Sequence, residues 1–231
     1  MKRFWTEATV TEADGQFGVA LDGRPVKTQG GRALRVPGRA LAAALAGEWA
    51  AQAPEIDPAG FAFRDLADLA IDVIAADRAD TIATLLRYAE TDTLCYRAEP
   101  GEPLHAHQLE LWEPLLNAAE ARFAVPFIRT SGVIHQPQPA ATLARLEQEL
   151  TQQGDFALAA LTALTTLPAS LVIGLAALQG TADPGELWRA AELEEDWQAE
   201  QWGQDDEAQI RRARRLASFT AAVEFAQLAR A

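Results

Sequence analysis

The sequence predicts an α+β protein, in which a small antiparallel β-rich N-terminal domain (residues 1–58) precedes a larger all-helical C-terminal domain (residues 59–231). Three observations predict this class. Short segments that alternate apolar and polar residues fill the first 36 positions, prolines interrupt the chain at Pro54 and Pro58, and helical periodicity dominates after that link.

The strands of the N-terminal domain are marked by the turns between them. Asp-Gly favours a two-residue hairpin turn because both positions accept a positive φ. The turn dipeptides are Asp14-Gly15, Asp22-Gly23 and Gly30-Gly31. The predicted strands are residues 4–11, 17–21, 25–28 and 33–36. An antiparallel meander is therefore expected, with one helix after it inside the same domain.

About eight helices are predicted after the strands, from apolar residues that recur every three or four positions. The first carries Leu41, Leu45 and Trp49 and ends near residue 52. The later inward faces are Leu66, Leu69, Ala70, Val73 and Ile74; Ile82, Leu85, Leu86 and Ala89; Leu109, Trp112, Leu116 and Ala119; and Leu143, Leu146 and Leu150. The last helix is expected over about residues 205–228.

One stretch, residues 156–178, contains no charged residue and is long enough to cross a bilayer. Pro168 interrupts it in the middle, hydroxyl side chains are scattered along it, and no basic anchor flanks it. We therefore predict two short helices buried in a protein core, with no membrane insertion.

The amino-acid composition limits the classes of function that are possible. The 231 residues carry a net charge of −13, which repels phosphate backbones, so no nucleic-acid partner is expected. The single cysteine, Cys95, excludes an internal disulfide and fits a reducing compartment. The N-terminus has neither a secretory signal nor a transit segment. We expect a soluble, monomeric, cytoplasmic bacterial protein.

Motifs of standard catalysis are missing from the sequence. No phosphate-binding glycine loop and no G-x-S-x-G is present. His105 and His107 lie at a helix start, where their rings diverge, and His135 stands apart, so no metal is expected. Cys95 lies in an apolar stretch and is expected to be buried, with a raised pKa. We predict no enzyme and no cofactor; a metal-dependent enzyme with an unfamiliar site stays an alternative.

A basic run and an acidic run meet at the start of the last helix. The basic run is Arg211, Arg212, Arg214 and Arg215; the acidic run is Asp205, Asp206 and Glu207. Acidic residues in the first turn of a helix with basic ones further along complement the helix dipole. We expect this helix face to be solvated and paired within itself.

A polar set at a predicted helix end is a candidate of lower specificity. Tyr88 and Asp92 lie one turn apart, with Glu90 between them and Arg97 close behind. The set fits a hydrogen-bonded helix terminus as well as it fits a binding role, so both interpretations stay open.

Residues 184–207, called here the acidic tryptophan segment, are the main candidate for binding. They hold three of the six tryptophans. On one helix, Trp188, Ala191, Glu195, Gln198 and Trp202 form a single stripe, and Trp197 falls on another that anchors the helix. Glu195 is either paired to an arginine of this protein or open at a groove for a partner. A solvated helix with ordinary tryptophan anchors is the alternative.

Four motifs resemble the family of ATP synthase assembly chaperones. They are Leu21-Asp22-Gly23-Arg24-Pro25-Val26-Lys27-Thr28; Glu48-Trp49-Ala50-Ala51-Gln52; Tyr88-Ala89-Glu90-Thr91-Asp92 with Leu94-Cys95-Tyr96-Arg97; and Leu193-Glu194-Glu195 through Gln198 to Trp202-Gly203. They follow one another in the family's order over nearly the whole chain. The resemblance is to the member that serves the alpha subunit of the catalytic head, whose eukaryotic relatives are mitochondrial.

The resemblance implies a chaperone without catalysis that binds the free alpha subunit, shields its interface and hands it to the beta subunit. It also implies an essential acidic residue in the Glu-Glu motif, which falls on Glu195 with Glu194 beside it. Gln198, Trp202 and Trp188 complete the expected client-binding set. An acidic adaptor with another client stays an alternative.

Overall fold

The computed structural model describes residues 2–132, 134–203 and 205–230. An antiparallel sheet near the N-terminus and helices along most of the remaining chain confirm the predicted α+β class. The residues form two compact units: residues 2–78, 154–160 and 221–230 make the first, and residues 79–153 and 161–220 make the second. Each unit gathers separate stretches of the chain, and the division into domains 1–58 and 59–231 stays a prediction.

Three strands form the sheet of the first unit, in the order β1–β2–β3. They are β1 (Ala8–Ala13), β2 (Gln16–Leu21) and β3 (Arg24–Pro25). Asp14 and Gly15 join β1 to β2 with φ values of 53° and 72°, and Asp22 and Gly23 join β2 to β3 with 47° and 78°. Both Asp-Gly hairpins are confirmed, because each turn uses the positive φ that these residues accept.

The other strand boundaries differ from the prediction. The first strand begins at Ala8 and not at residue 4, because Trp5 turns into the core and its indole N–H donates to the Trp49 carbonyl at 3.1 Å. Residues 33–36 contribute only isolated bridges, Lys27 with Ala33 and Phe17 with Val36. The third predicted strand shortens to β3, and the chain after it is joined by single backbone bonds, such as those from the Val26 amide to the Val19 carbonyl at 2.9 Å and from the Leu34 amide to the Val26 carbonyl at 3.3 Å.

The helical elements of the first unit include one π-helical turn. They are α1 (Arg39–Ala51), a 3-10 turn (Pro58–Gly60), α2 (Ala62–Asp68) and a π-helical turn (Leu69–Ile74). Leu41 and Leu45 of α1 are fully buried, as predicted. Ala70 and Ile74 are also buried, but Val73 is 55% exposed, so its predicted inward position is wrong. A π-helical turn contains more residues than an α-helical turn. The α-helical spacing therefore no longer applies, and Val73 does not lie on the apolar face.

Two aspartates of these helices hold the loop that follows β3. The Thr28 hydroxyl donates to Asp72 at 2.8 Å, and the Gly30 amide donates to its other oxygen at 2.7 Å. The Gln29 amide donates to Asp68 at 3.2 Å. A Cβ at Gly30 would lie 2.7 Å from the Asp72 carboxylate, so the contact requires glycine at this position.

The remaining elements belong mainly to the second unit. They are α3 (Arg78–Glu90), a 3-10 turn (Thr93–Cys95), β4 (Tyr96–Arg97), α4 (Pro103–Phe123), β5 (Thr130–Ser131), α5 (Ala140–Thr151), α6 (Asp155–Thr166), α7 (Leu171–Gln179), α8 (Pro184–Ala191), α9 (Leu193–Trp202) and α10 (Asp206–Leu228). Strands β4 and β5 form a short parallel pair, with Tyr96 opposite Thr130 and Arg97 opposite Ser131.

Helix α4 buries a face that is shifted from the predicted one. Trp112, Leu116 and Ala119 are buried as expected, but Leu109 is 46% exposed and its predicted inward position is wrong. The neighbouring Gln108 is fully buried in its place. An amide is accepted there because both of its polar atoms find partners, described below.

The uncharged stretch, residues 156–178, lies within two helices and the turn between them, as predicted. Helix α6 ends at Thr166, and α7 begins at Leu171 after Ser170, whose hydroxyl accepts from the Ile173 amide at 3.1 Å. Most of the apolar side chains are fully buried. Among the described residues, no helix combines the length and apolarity that a membrane crossing requires.

Candidate functional site

The acidic tryptophan segment forms two helices rather than one. Helix α8 ends and α9 begins at Glu192, whose backbone leaves the helical region with φ −93° and ψ 4°. The predicted single stripe from Trp188 to Trp202 is therefore wrong as a continuous helix face. Trp188 is 7% exposed and packs against Phe219 at 5.3 Å, whereas Trp202 is 81% exposed. Gln204 of this segment lies outside the described residues.

Three acidic residues of α9 and its cap face two arginines of α10. Glu192 accepts from the Arg212 Nε at 3.0 Å and lies 3.1 Å from the Arg215 guanidinium. Arg215 also donates to Glu195 at 3.0 Å, and Arg212 pairs with Asp196. The cluster carries one more negative than positive charge, so it remains attractive to a cation.

The partners of the basic run differ from the prediction. Asp205, at the start of α10, accepts from the backbone amides of Glu207 and Ala208 at 3.3 Å and thus acts as the helix cap. Arg212 and Arg215 instead pair with acids about 20 residues earlier in the chain. Arg212 and Arg215 thus attach α10 to α9, which the order of charges within one helix does not reveal.

The two glutamates that contact Arg215 differ in how far they are buried. Glu192 is 1% exposed, and desolvation raises the pKa of its carboxyl group, against the lowering effect of Arg215 and Arg212. The Glu195 side chain is 52% exposed. Glu192 is thus the structural carboxylate of the cluster, and Glu195 is the accessible one.

Glu194 belongs to a second network of hydrogen bonds, which runs from the surface to buried side chains. It accepts from the Gln108 side-chain amide at 2.8 Å, and the Gln108 oxygen accepts from the Ala98 backbone amide at 2.8 Å. The Gln108 carbonyl accepts from Arg97 at 2.9 Å, and Arg97 also donates to Glu113 at 3.1 Å. Desolvation raises the pKa of the Glu194 carboxyl group, and the bond from Gln108 opposes this. Arg97 is 6% exposed, so it supports the surface from beneath.

Two grooves flank the C-terminal half of α9, and both are lined by Gln198 and Trp202. The first, about 300 Å³, is also lined by Glu195, Ala199, Gly203, Asp205, Ala208, Gln209 and Arg212. The second, about 410 Å³, is also lined by Tyr96, Arg97, Ala98, Leu104, Gly132, Glu194 and Trp197. The structure thus brings Glu194, Glu195, Gln198 and Trp202 onto one ridge with a groove on each side. Trp188 is buried and lines neither groove.

The set at the end of α3 divides into structural and peripheral members. Asp92 is fully buried and accepts from the Leu94 and Val172 amides at 3.1 and 3.0 Å. Burial raises the pKa of Asp92 to about 6. Tyr88 lines a shallow groove, and Glu90 is half-buried. Asp92 therefore ties the 3-10 turn to the start of α7, which favours the structural interpretation.

The other chemical candidates occupy structural or surface positions. Burial raises the pKa of the Cys95 thiol to about 12, as predicted for a packed cysteine. The His107 ring contacts Trp197 at 5.4 Å, and His135 lies 2.8 Å from the Tyr96 hydroxyl. Among the described residues, no three His, Cys, Asp or Glu side chains converge in a way that could hold a metal ion.

Sequence patterns missed Gln108, Glu192 and Arg215. Gln108 gave no signal, because the apolar period placed its neighbour Leu109 on the inward face instead. The pairing of Glu192 and Arg215 joins two helices, and helical spacing identifies partners only within one helix. The arginine run that closely follows the acidic tryptophan segment in the sequence was the signal that could have suggested it.

An acidic ridge with an exposed tryptophan, flanked by grooves, is typical of a protein that binds other polypeptides. Residues 2–120 match the family model of the ATP12 chaperone protein. The crystal structure of Atp12 from Paracoccus denitrificans superposes with a TM-score of 0.92 at 38% identity, covering 99% of this chain and 98% of that chain. The chain belongs to the ATP12 chaperone family.

Two further relatives support the assignment. The Atu1473 protein of Agrobacterium tumefaciens is 38% identical with a TM-score of 0.94, covering 98% of this chain and 85% of that chain. The mitochondrial protein atp12 of Schizosaccharomyces pombe is 25% identical over 219 residues, covering 90% of this chain and 75% of the relative. The predicted family, that of ATP synthase assembly chaperones, is confirmed, and the chain is a chaperone rather than an enzyme.

Proposed function

We propose that this chaperone binds the free alpha subunit of the F-type ATP synthase catalytic head, shields its subunit interface and hands it to the beta subunit. It acts in the bacterial cytoplasm as a monomer, in a stoichiometric complex, without ATP or another cofactor. An unassembled ring subunit exposes a large apolar interface, which favours aggregation until it is covered.

The exposed indole of Trp202 is the observation that carries this proposal. It is 81% exposed at the end of α9, although burial of a large aromatic ring is strongly favourable in water. Gln198 and Trp202 line both grooves, and Glu195 and Glu194 each line one. Tryptophan surrounded by polar groups is the usual composition of an interface hot spot. We place the client contact on this ridge and assign the buried Trp188 a supporting role.

Capture of purified alpha subunit by immobilised chaperone tests the proposal. Trp202→Ala should reduce capture at least tenfold, because hot-spot residues contribute about 2 kcal/mol or more. Its thermal midpoint should hardly change, since the ring makes few contacts within the chain. Phe4→Ala, which removes another large exposed apolar side chain that lines neither groove, is the matched control and should bind normally.

Glu195→Lys tests the acidic part of the ridge. It should abolish capture while leaving the thermal midpoint almost unchanged, because the residue is half exposed and its ion pair is on the surface. Glu200→Lys makes the same charge change on an exposed position of α9 and should bind normally. Normal capture by Glu195→Lys, or equal loss in Glu200→Lys, would contradict the proposed ridge. Capture of another protein in place of the alpha subunit would instead favour the adaptor alternative.

A further inference from the structure

Glu195 already holds a cation in the free chaperone. The Arg215 guanidinium donates to it at 3.0 Å, and the same Arg215 nitrogen lies 3.1 Å from the buried Glu192. One face of the Arg215 side chain covers the Trp188 ring at 5.5 Å. The structure therefore shows which chemistry Glu195 accepts: a guanidinium that lies over a tryptophan ring.

The groove that Glu195 lines offers a comparable setting. Trp202 and Gln198 line it together with Glu195. A planar guanidinium could lie on the indole of Trp202 and bond to the carboxylate of Glu195, whereas a lysine ammonium lacks the flat face for such stacking. The charge surplus of the cluster also favours a cation there.

Arg215 has anchors that do not depend on Glu195. Besides its contact with Glu192, it donates to the Leu167 carbonyl at 2.9 Å. Glu192 in turn keeps its bond from the Arg212 Nε at 3.0 Å. When Glu195 changes partners, neither the buried Glu192 nor Arg215 is left without one, so the exchange carries little cost for the fold.

We propose that an arginine side chain of the client replaces Arg215 as the partner of Glu195, and that Arg215 takes Glu195 back when the client leaves. The inference rests on the proposed function. Arg215 thus competes with the client for one carboxylate and favours release, which a chaperone that hands its client onward requires.

Binding of purified alpha subunit to Arg215→Gln, titrated at low ionic strength, tests the exchange. Removal of the competitor should tighten binding about two- to fivefold, the equivalent of one exposed ion pair. In a Glu195→Gln background the same substitution should have no effect, because there is no carboxylate left to compete for. Arg211→Gln, which removes an exposed charge from the same helix, should change affinity less than Arg215→Gln.

Three results would overturn the inference. Weaker binding of Arg215→Gln in both backgrounds would show a purely structural role. Equally tighter binding in both would show only a long-range charge effect, as would an equal gain in Arg211→Gln. If the wild-type chaperone does not bind the alpha subunit at all, the proposed function fails instead, which is a separate outcome.

The fold of the variant and the chemistry of the client group need their own measurements. Glu192→Gln/Arg215→Gln removes one acid and one base together, and should show the same gain in affinity if Arg215→Gln alone unfolds. Arginine amide should displace the alpha subunit at lower concentration than lysine amide at matched ionic strength. Equal potency of the two amides would contradict the preference for a guanidinium.

Discussion

Glu192 and Glu195 lie one helical turn apart and contact the same arginine, yet we expect opposite roles for them. Replacing each by glutamine removes one negative charge and preserves side-chain shape. We expect Glu192→Gln to lower stability strongly with little direct effect on the client, and Glu195→Gln to do the reverse. The comparison is matched, because position, charge change and partner are nearly the same.

The expected magnitudes follow from burial. Glu192 is 1% exposed and interacts with Arg212 and Arg215. Removing one partner of a buried ion pair costs about 3–5 kcal/mol. Both arginines keep a second acid, and the desolvation that raises the pKa of Glu192 is relieved in the neutral amide, so we expect the smaller loss of about 2–3 kcal/mol for Glu192→Gln. At about 2–4 °C per kcal/mol for a chain of this size, the thermal midpoint should fall by about 4–12 °C.

Glu195→Gln removes one exposed ion pair, which is worth about 0.2–1 kcal/mol, and should lower the midpoint by at most about 4 °C. Thermal unfolding followed by circular dichroism measures both variants. Added salt should shrink the effect of Glu195→Gln more than that of Glu192→Gln, because exposed charges are screened. A loss of stability in Glu195→Gln equal to or larger than that in Glu192→Gln would refute the assignment of roles.

Three further predictions concern the rest of the chain. Burial raises the pKa of Asp92 from 3.8 to about 6, so the folded state holds a proton that the unfolded chain has released. As the pH rises from about 4 to about 7, the free energy of unfolding of the wild type should therefore fall by up to about 3 kcal/mol relative to that of Asp92→Asn. Urea unfolding measures both. Cys95, with a pKa raised to about 12, should resist thiol reagents at about pH 8 until the protein unfolds. Gly30→Ala should destabilise by about 1–3 kcal/mol, because its Cβ would meet the Asp72 carboxylate, whereas Gly47→Ala in the open interior of α1 should stabilise by about 0.5–1 kcal/mol.

The features that local chemistry determines were predictable from the sequence. The two Asp-Gly hairpins depend on residues at the turn itself, and the apolar period located most helices. The break at Pro168 correctly divided the uncharged stretch into α6 and α7. In each case the deciding residues are neighbours in the chain, so their pattern contains the information.

The features that depend on distant contacts were not predictable. The exposure of Val73 follows from a π-helical turn. The hydrogen bond from the Gly30 amide to Asp72 joins residues 42 positions apart in the chain. The break at Glu192 lies where no proline or glycine marks it, and the carboxylate there is directed to arginines of α10. A stripe drawn on one straight helix could not anticipate that the chain changes direction at this residue.

The sequence left two interpretations for Glu195, an internal ion pair or a contact open to a client, and the structure makes them compatible. Glu195 is paired to Arg215, but it is half exposed and lines a groove beside Trp202. A carboxylate in a fully buried pair would be unavailable, and one without any partner would bind the client without a competing reaction. The observed arrangement lies between these extremes. In the exchange proposed above, Trp202 would supply affinity through apolar burial, and the change of partner at Glu195 would keep that affinity low enough for the client to be passed on.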